Sequence, residues 1–149
     1  LTEQAQSNIK KLLEHLNYVG VLTLELFVTS EGGAEKLLAN EIAPRVHNSG
    51  HWSIEGAVTS QFENHMRAVA GLPLGDTAIV KPSVMLNVIG EYPKLEEVLA
   101  IAGVHVHNYD KEEREGRKIA HITVMPSDSN QLDSAVAQVV AKLPNKLSD

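Results

Sequence analysis

Ser30-Glu31-Gly32-Gly33 stands between two apolar runs and narrows the conformational options of this chain more than any other stretch. Tyr18 to Thr29 is rich in valine, leucine and aromatic residues, and Lys36 to Ala43 is a second apolar run. Adjacent glycines between such runs are turn chemistry, so the spacing predicts a β-hairpin. With the turn centred near Gly32 and Gly33, residues whose numbers add up to about 66 face one another, which sets Glu25 opposite Glu41 on one face. Two carboxylates ~5 Å apart repel by roughly 3 kcal/mol at an effective dielectric of 20. A shared proton offsets this, and so does a hard divalent cation such as magnesium, which prefers oxygen ligands. A solvated hairpin face with screened repulsion is the third reading. Asn40, one residue before Glu41, is expected on the opposite face and away from any such ion.

Pro44 lacks a backbone donor and ends regular pairing. Arg45 to Trp52 is therefore expected to be an irregular loop rich in groups that recognise anions. Arg45 offers a planar donor fork, and His47, Asn48 and Ser49 add shorter donors. His47 and His51 have the spacing of zinc ligands on a helix, but Gly50 between them and Pro44 before them argue against a helix and hence against zinc. Trp52 reads as a core or lid residue rather than a stacking platform.

Around this stretch the periodicities are simple. Leu1 to Leu16 places Ile9, Leu12, Leu13 and Leu16 on one helical stripe. Thr59 to Leu72 is a second helix, with Thr59 and Ser60 as N-caps and Gly71 with Pro73 as the stop, and Gln61, Glu63, His65 and Arg67 read as its solvated face. Leu72 to Pro82 reads as a linker or crossover. Beyond it come a strand over Ser83 to Ile89, a helix over Glu91 to Gly103, strands over Val104 to Tyr109 and Ile119 to Met125, and a helix over Ser129 to Leu143. His105 and His107 share a strand face and are expected to be structural, both lining a cavity or both meeting water. Asp110 to Lys118 reads, on composition, as a charged solvated loop. The second unit is thus a small α+β piece.

At 149 residues and 43% hydrophobic content the chain can bury a core, as one domain or two small pieces. A net charge of −6 argues against nucleic acid as the main partner, because such binders neutralise phosphates with dense positive surface. No cysteine is present, which removes thiolate chemistry and fits a reducing compartment. No run approaches the ~20 apolar residues of a membrane span, and no basic-then-apolar leader is seen, so the expectation is a soluble, cytoplasmic protein with no membrane partner. The chain opens at a leucine already inside helical periodicity, which suggests a piece of a longer polypeptide. Glycine-rich phosphate loops are absent, so any nucleotide must be held differently.

The stretch Asn40-Glu41-Ile42-Ala43-Pro44-Arg45-Val46-His47-Asn48-Ser49-Gly50-His51-Trp52, followed by Thr59-Ser60-Gln61-Phe62-Glu63-Asn64-His65 and Gly71-Leu72-Pro73-Leu74-Gly75, closely resembles the N5-carboxyaminoimidazole ribonucleotide synthetases, the ATPase subunits of phosphoribosylaminoimidazole carboxylase. Tyr109-Asp110-Lys111 and Gly116-Arg117-Lys118 resemble the same family. The resemblance implies an α+β fold: the C-terminal part of an ATP-grasp domain over residues 1–74, followed by a small mixed α/β C-terminal domain over 75–149. It implies ATP and Mg2+ as cofactors, with Glu25 and Glu41 holding the metal on the ATP phosphates. Arg45 and His47 match residues near bicarbonate and carboxyphosphate, with Asn48 beside them. Lys111, Arg117 and Lys118 match the group that grips the 5′-phosphate of 5-aminoimidazole ribonucleotide, which replaces the solvated-loop reading. The implied reaction is ATP- and bicarbonate-dependent carboxylation of that ribonucleotide in purine biosynthesis, by a homodimer. The implied missing N-terminal part makes this fragment inactive alone. Ala43 stands where the wider superfamily often has asparagine, which leaves water as the expected substitute for a third protein ligand. The rival readings are an inactive folded module used for dimerisation and an ATP-grasp ligase for another ribonucleotide.

Overall fold

The computed structural model describes residues 1–144 and divides by internal contacts into two units, Leu1–His51 with Thr59–Asp76, and Trp52–Val58 with Thr77 onward. The first unit opens with helix α1 (Thr2–Leu16), ended by Asn17 in the left-handed conformation at φ 48. There the N–H groups of Asn17 and Tyr18 return to the Glu14 and Leu13 carbonyls, satisfying the last turn. Ile9, Leu12 and Leu13 are half-buried on the expected stripe, while Leu16 is exposed.

Strands β1 (Thr23–Glu31) and β2 (Ala34–Ala43) form the hairpin. Gly32 and Gly33 have φ of 62 and 82, so both turn residues need the left-handed region, as in a two-residue turn that matches strand twist. From Glu31↔Ala34 to Leu26↔Ala39 the pairing is that of the tight turn, one residue away from the register expected from sequence. A β-bulge between Glu25 and Leu26 then inserts Asn40 as an extra residue, and the ladder resumes with Glu25↔Glu41, Leu24↔Ile42 and Thr23↔Ala43. The Glu25/Glu41 pairing is therefore as expected, but it exists because of the bulge. Residues 18–22 precede the strand rather than belonging to it.

After the polar loop and its short 3-10 turn (Asn48–Gly50), the chain leaves the first unit for helix α2 (Ser53–Gly56) and returns for α3 (Gln61–Val69). Ser60 caps α3, its Oγ accepting from Glu63 N at 3.2 Å. Among the described residues of the first unit, Ala43 is the one buried apolar side chain.

The second unit carries the apolar core. Strands β3 (Val84–Ile89), β4 (Val104–Asn108) and β5 (Lys118–Val124) form an antiparallel sheet in the order β3-β5-β4. Helices α4 (Leu95–Leu99) and α5 (Leu132–Val140) supply Val98, Ala135 and Val139 to a cluster with Val88, Ile119, Ile122 and Val124. Each large side chain buried there contributes roughly 1.5–3 kcal/mol. Helix α4 is shorter than its periodicity predicts, and Gly103, at φ 77, precedes β4. Beside this sheet, Ala57 bridges Ile79, and Val58 N and Val80 N donate to Ala78 O and Gly56 O at 2.9 and 2.8 Å.

Candidate active-site residues

The hairpin end is where the bulge has chemical consequences. Asn40 does not point away from Glu25, as strict alternation required: its Nδ2 donates to Glu25 Oε2 at 3.0 Å. Two successive residues of a bulged strand oppose one residue of its partner, so Asn40 and Glu41 both attend Glu25. The other Glu25 oxygen, Oε1, lies 3.1 Å from His47 Nε2. His47 Nδ1 accepts from Ser49 N at 3.3 Å and lies 2.9 Å from Ser49 Oγ. A neutral ring that accepts at Nδ1 carries its hydrogen on Nε2, directed at Glu25. Glu41 is exposed and Glu25 half-buried, so the pair presents carboxylate oxygens to solvent on one strand-to-strand step.

The loop that delivers His47 is held by Gln61, the first residue of α3. Gln61 Oε1 accepts from His47 N at 3.0 Å, while its Nε2 lies 2.7 Å from both His47 O and His51 Nδ1. A Cβ on Gly50 would fall 2.7 Å from Gln61 Oε1, so glycine here leaves the amide its place, and a larger residue would push the Gln61 side chain off these contacts. Two further residues on the same face of α3 act likewise: His65 Nδ1 accepts from Val21 N at 3.0 Å, and Asn64 Oδ1 accepts from Gly75 N at 2.8 Å. Of the four residues expected on the solvated face of α3, Glu63 is exposed, and it pairs at i,i+4 with Arg67, which is half-buried and also donates from Nη1 to Pro73 O at 3.4 Å. Both ring nitrogens of His47 are engaged, by Ser49 and Glu25, and Nδ1 of His51 is engaged by Gln61. Arg45 is exposed, with Nη1 donating to Val46 O at 2.9 Å, and Asn48 is half-buried in the 3-10 turn.

In the second unit, Lys111, Arg117 and Lys118 lie on or beside the loop joining β4 to β5. Lys111 Nζ donates to Lys118 O at 3.5 Å and stands 5.2 Å from the centre of the Tyr109 ring, within cation–π range. Arg117 is half-buried, its carbonyl accepting from Gly90 N at 2.8 Å. The two strand histidines part company: His105 is exposed, whereas His107 Nε2 meets Glu55 Oε1 at 2.6 Å and its ring stacks on the buried His121 at 4.5 Å. His121 Nδ1 in turn lies 2.7 Å from Tyr109 Oη. The residues that sequence reading missed, Asn40, Gln61, Glu55 and His121, share one trait: their partners are distant in sequence or displaced by the bulge.

A family model described as "ATP-grasp domain" matches residues 1–62, and one described as "Phosphoribosylaminoimidazole carboxylase C-terminal domain" matches residues 83–135. The N5-carboxyaminoimidazole ribonucleotide synthase of Vibrio cholerae is 51% identical over 146 residues, covering 98% of this chain and 38% of that protein. The crystal structure of N5-carboxyaminoimidazole ribonucleotide synthetase from Thermus thermophilus superposes with a TM-score of 0.84 at 48% identity, over 99% of this chain and 40% of that one. A synthase from Aspergillus clavatus, solved in complex with ADP and 5-aminoimidazole ribonucleotide, gives 0.70 at 33% identity, over 85% and 35%. The chain thus spans about 38% of the length of the curated relatives it matches. No described helix is long and apolar enough to cross a membrane.

Proposed function

The chain belongs to the N5-carboxyaminoimidazole ribonucleotide synthase family, and from that membership we propose that it forms the C-terminal part of an ATP-dependent ligase that carboxylates 5-aminoimidazole ribonucleotide. In this reading bicarbonate takes the γ-phosphoryl group of ATP to give ADP and carboxyphosphate. The amine of the ribonucleotide then bonds to the carboxyl carbon and phosphate leaves. The observation that carries the reading is the bulged hairpin, which sets Glu25 against Glu41 and ties Glu25 to His47.

Two carboxylates on one strand-to-strand step fit magnesium, which takes oxygen ligands and keeps several for water and phosphate. Glu25 and Glu41 would hold it, and bound there it would neutralise charge on the phosphates. Glu25 offers its oxygens from a fixed position, because Asn40 and His47 direct them. The Nε2 hydrogen of His47 is directed at Glu25, so His47 serves the site by aiming that carboxylate, while Arg45 brings a guanidinium as the donor for an oxyanion where phosphoryl and carboxyl transfer develop charge. Gln61 holds that loop in place by three contacts. Lys111, Arg117 and Lys118 receive the ribonucleotide 5′-phosphate as point charges and a planar fork.

The remaining part of the polypeptide is a necessary partner in this proposal. The hairpin exposes Phe27, Val28, Leu38 and Ile42, at 55%, 59%, 57% and 47%, and an isolated two-stranded ribbon is at best marginal in water. The test is ADP release by the full-length protein. It should require bicarbonate and be stimulated by 5-aminoimidazole ribonucleotide, with the carboxylated ribonucleotide as product. A protein that consumes no ATP with both substrates present overturns the reading.

A further inference from the structure

The loop joining β4 to β5 cannot attract an anion by charge alone. Residues 110–118 hold Lys111, Arg114, Arg117 and Lys118 against Asp110, Glu112, Glu113 and Glu115, a net charge of zero. Its use for an anion therefore depends on holding selected cations forward and the carboxylates elsewhere. The structure contains a device that does this at Lys111.

The hydroxyl of Tyr92, from the connection between β3 and α4, lies 2.8 Å from Asn108 Oδ1, 2.9 Å from Lys111 O and 3.3 Å from Ile119 O, and accepts from Lys111 N at 3.3 Å. A phenol has one hydrogen to give, so it donates to one of these oxygens at a time while accepting from Lys111. Asn108 Oδ1 also accepts from Asp110 N at 2.8 Å, a side-chain turn that accompanies Asp110 at φ 54, a left-handed conformation that aspartate tolerates better than most residues. Glu113 is turned aside, its Oε1 accepting from Tyr92 N at 2.8 Å. The Lys111 ammonium then rests near the Tyr109 ring and the Lys118 carbonyl. The Tyr92 hydroxyl thus fixes the backbone from which the Lys111 side chain reaches Tyr109 and Lys118, and the Tyr92 backbone N–H separately occupies one neighbouring carboxylate.

We propose that Tyr92 is a positioning residue for anion recognition, setting Lys111 to receive the phosphate group of the ribonucleotide. This rests on the reading that Lys111 contacts that phosphate. Pre-ordering a flexible lysine removes part of the entropy cost that binding would otherwise meet. Tyr92→Phe keeps the ring that packs against the core and deletes only the hydroxyl.

The experiment is steady-state kinetics of the full-length protein with Tyr92→Phe, Lys111→Ala and the double variant. Tyr92→Phe should raise the KM for the ribonucleotide by about three- to tenfold, with kcat and the KM for ATP changed by less than about twofold. In the Lys111→Ala background the same change should add less than about twofold, because the hydroxyl acts through the lysine. An unchanged KM in Tyr92→Phe, beside a raised one in Lys111→Ala, overturns the proposal, as does full additivity. An unchanged KM in Lys111→Ala overturns the phosphate reading itself and the proposal with it.

Discussion

Replacing Glu41 with glutamine is expected to tighten the hairpin while abolishing its response to magnesium. Glu25 and Glu41 are direct partners, and the Cα atoms of such partners lie about 4.5–5.5 Å apart. Two carboxylates at ~5 Å repel by about 3 kcal/mol at a dielectric of 20 and about 0.8 kcal/mol at 80. Glu41 is exposed, and the Glu25 side chain retains 39% of its exposure, which puts the pair near the aqueous end of that range. Asn40 and His47 share part of the Glu25 charge. About 0.5–1 kcal/mol is left for the substitution to recover, or about a two- to fivefold change in local opening. The assay is amide hydrogen exchange of peptides covering residues 23–43 in the full-length protein. Exchange in Glu41→Gln should be about two- to fivefold slower at low salt, and the gain should shrink at high salt as screening shortens the reach of the charges. Magnesium should slow exchange in the wild type and leave the variant unmoved. Faster exchange in the variant, or equal magnesium responses, refutes the reasoning.

Gln61→Leu removes all three contacts that hold residues 47 and 51, and should lower kcat at least tenfold while destabilising the loop by about 1–3 kcal/mol, read as faster exchange in peptides covering residues 45–52. Glu55→Ala strands His107, whose side chain is 30% exposed and can partly recover water, so the loss should be about 1–3 kcal/mol, seen as faster exchange in β4 and β5. Glu97 is held below the ordinary glutamate range chiefly by its hydrogen bond to Lys142, then by the charges of Lys142 and Lys94. Its contribution is therefore present above the ordinary glutamate range and lost as pH falls through the lowered value. In acid titrations of unfolding, Glu97→Gln should flatten that part of the curve, with a difference that fades at high salt.

How far each feature could be read from sequence follows from the range of the interaction that makes it. The hairpin was legible because Gly32 and Gly33 act on their immediate neighbours, but the expected opposition of Glu25 to Glu41 holds only because the bulge shifts a ladder that runs one residue off the expected count. Asn40 was not, since a bulge has no compositional mark and alternation puts it on the wrong face. Gln61 looked like any polar residue on a helix surface, because what distinguishes it is a loop that folds over it; Gly50, which a Cβ would drive into the Gln61 amide, was the one available hint. Apolar periodicity overran α4, for Ile101 packs against the core whether or not its backbone is helical. His105 and His107 share strand parity, yet Glu55, fifty-two positions before His107, decides that one is held and the other meets solvent.

The two units are also held by different physics. In the second, nine buried side chains from the sheet, the helices and the segment after α5 form one cluster, and burial accounts for its order. In the first, α3 fixes three separate segments through Gln61, Asn64 and His65, at the spacing that puts them on one helix face. Such bonds contribute about 0.5–1.5 kcal/mol each, against about 1–2 kcal/mol to order each backbone residue. They can therefore choose where residues 21, 47 and 75 sit but cannot by themselves stabilise the hairpin. That division suits the proposed site. Polar contacts aim Glu25 and His47, whereas the energy that keeps the hairpin folded must come from covering its exposed Phe27, Val28, Leu38 and Ile42, the role assigned above to the rest of the polypeptide.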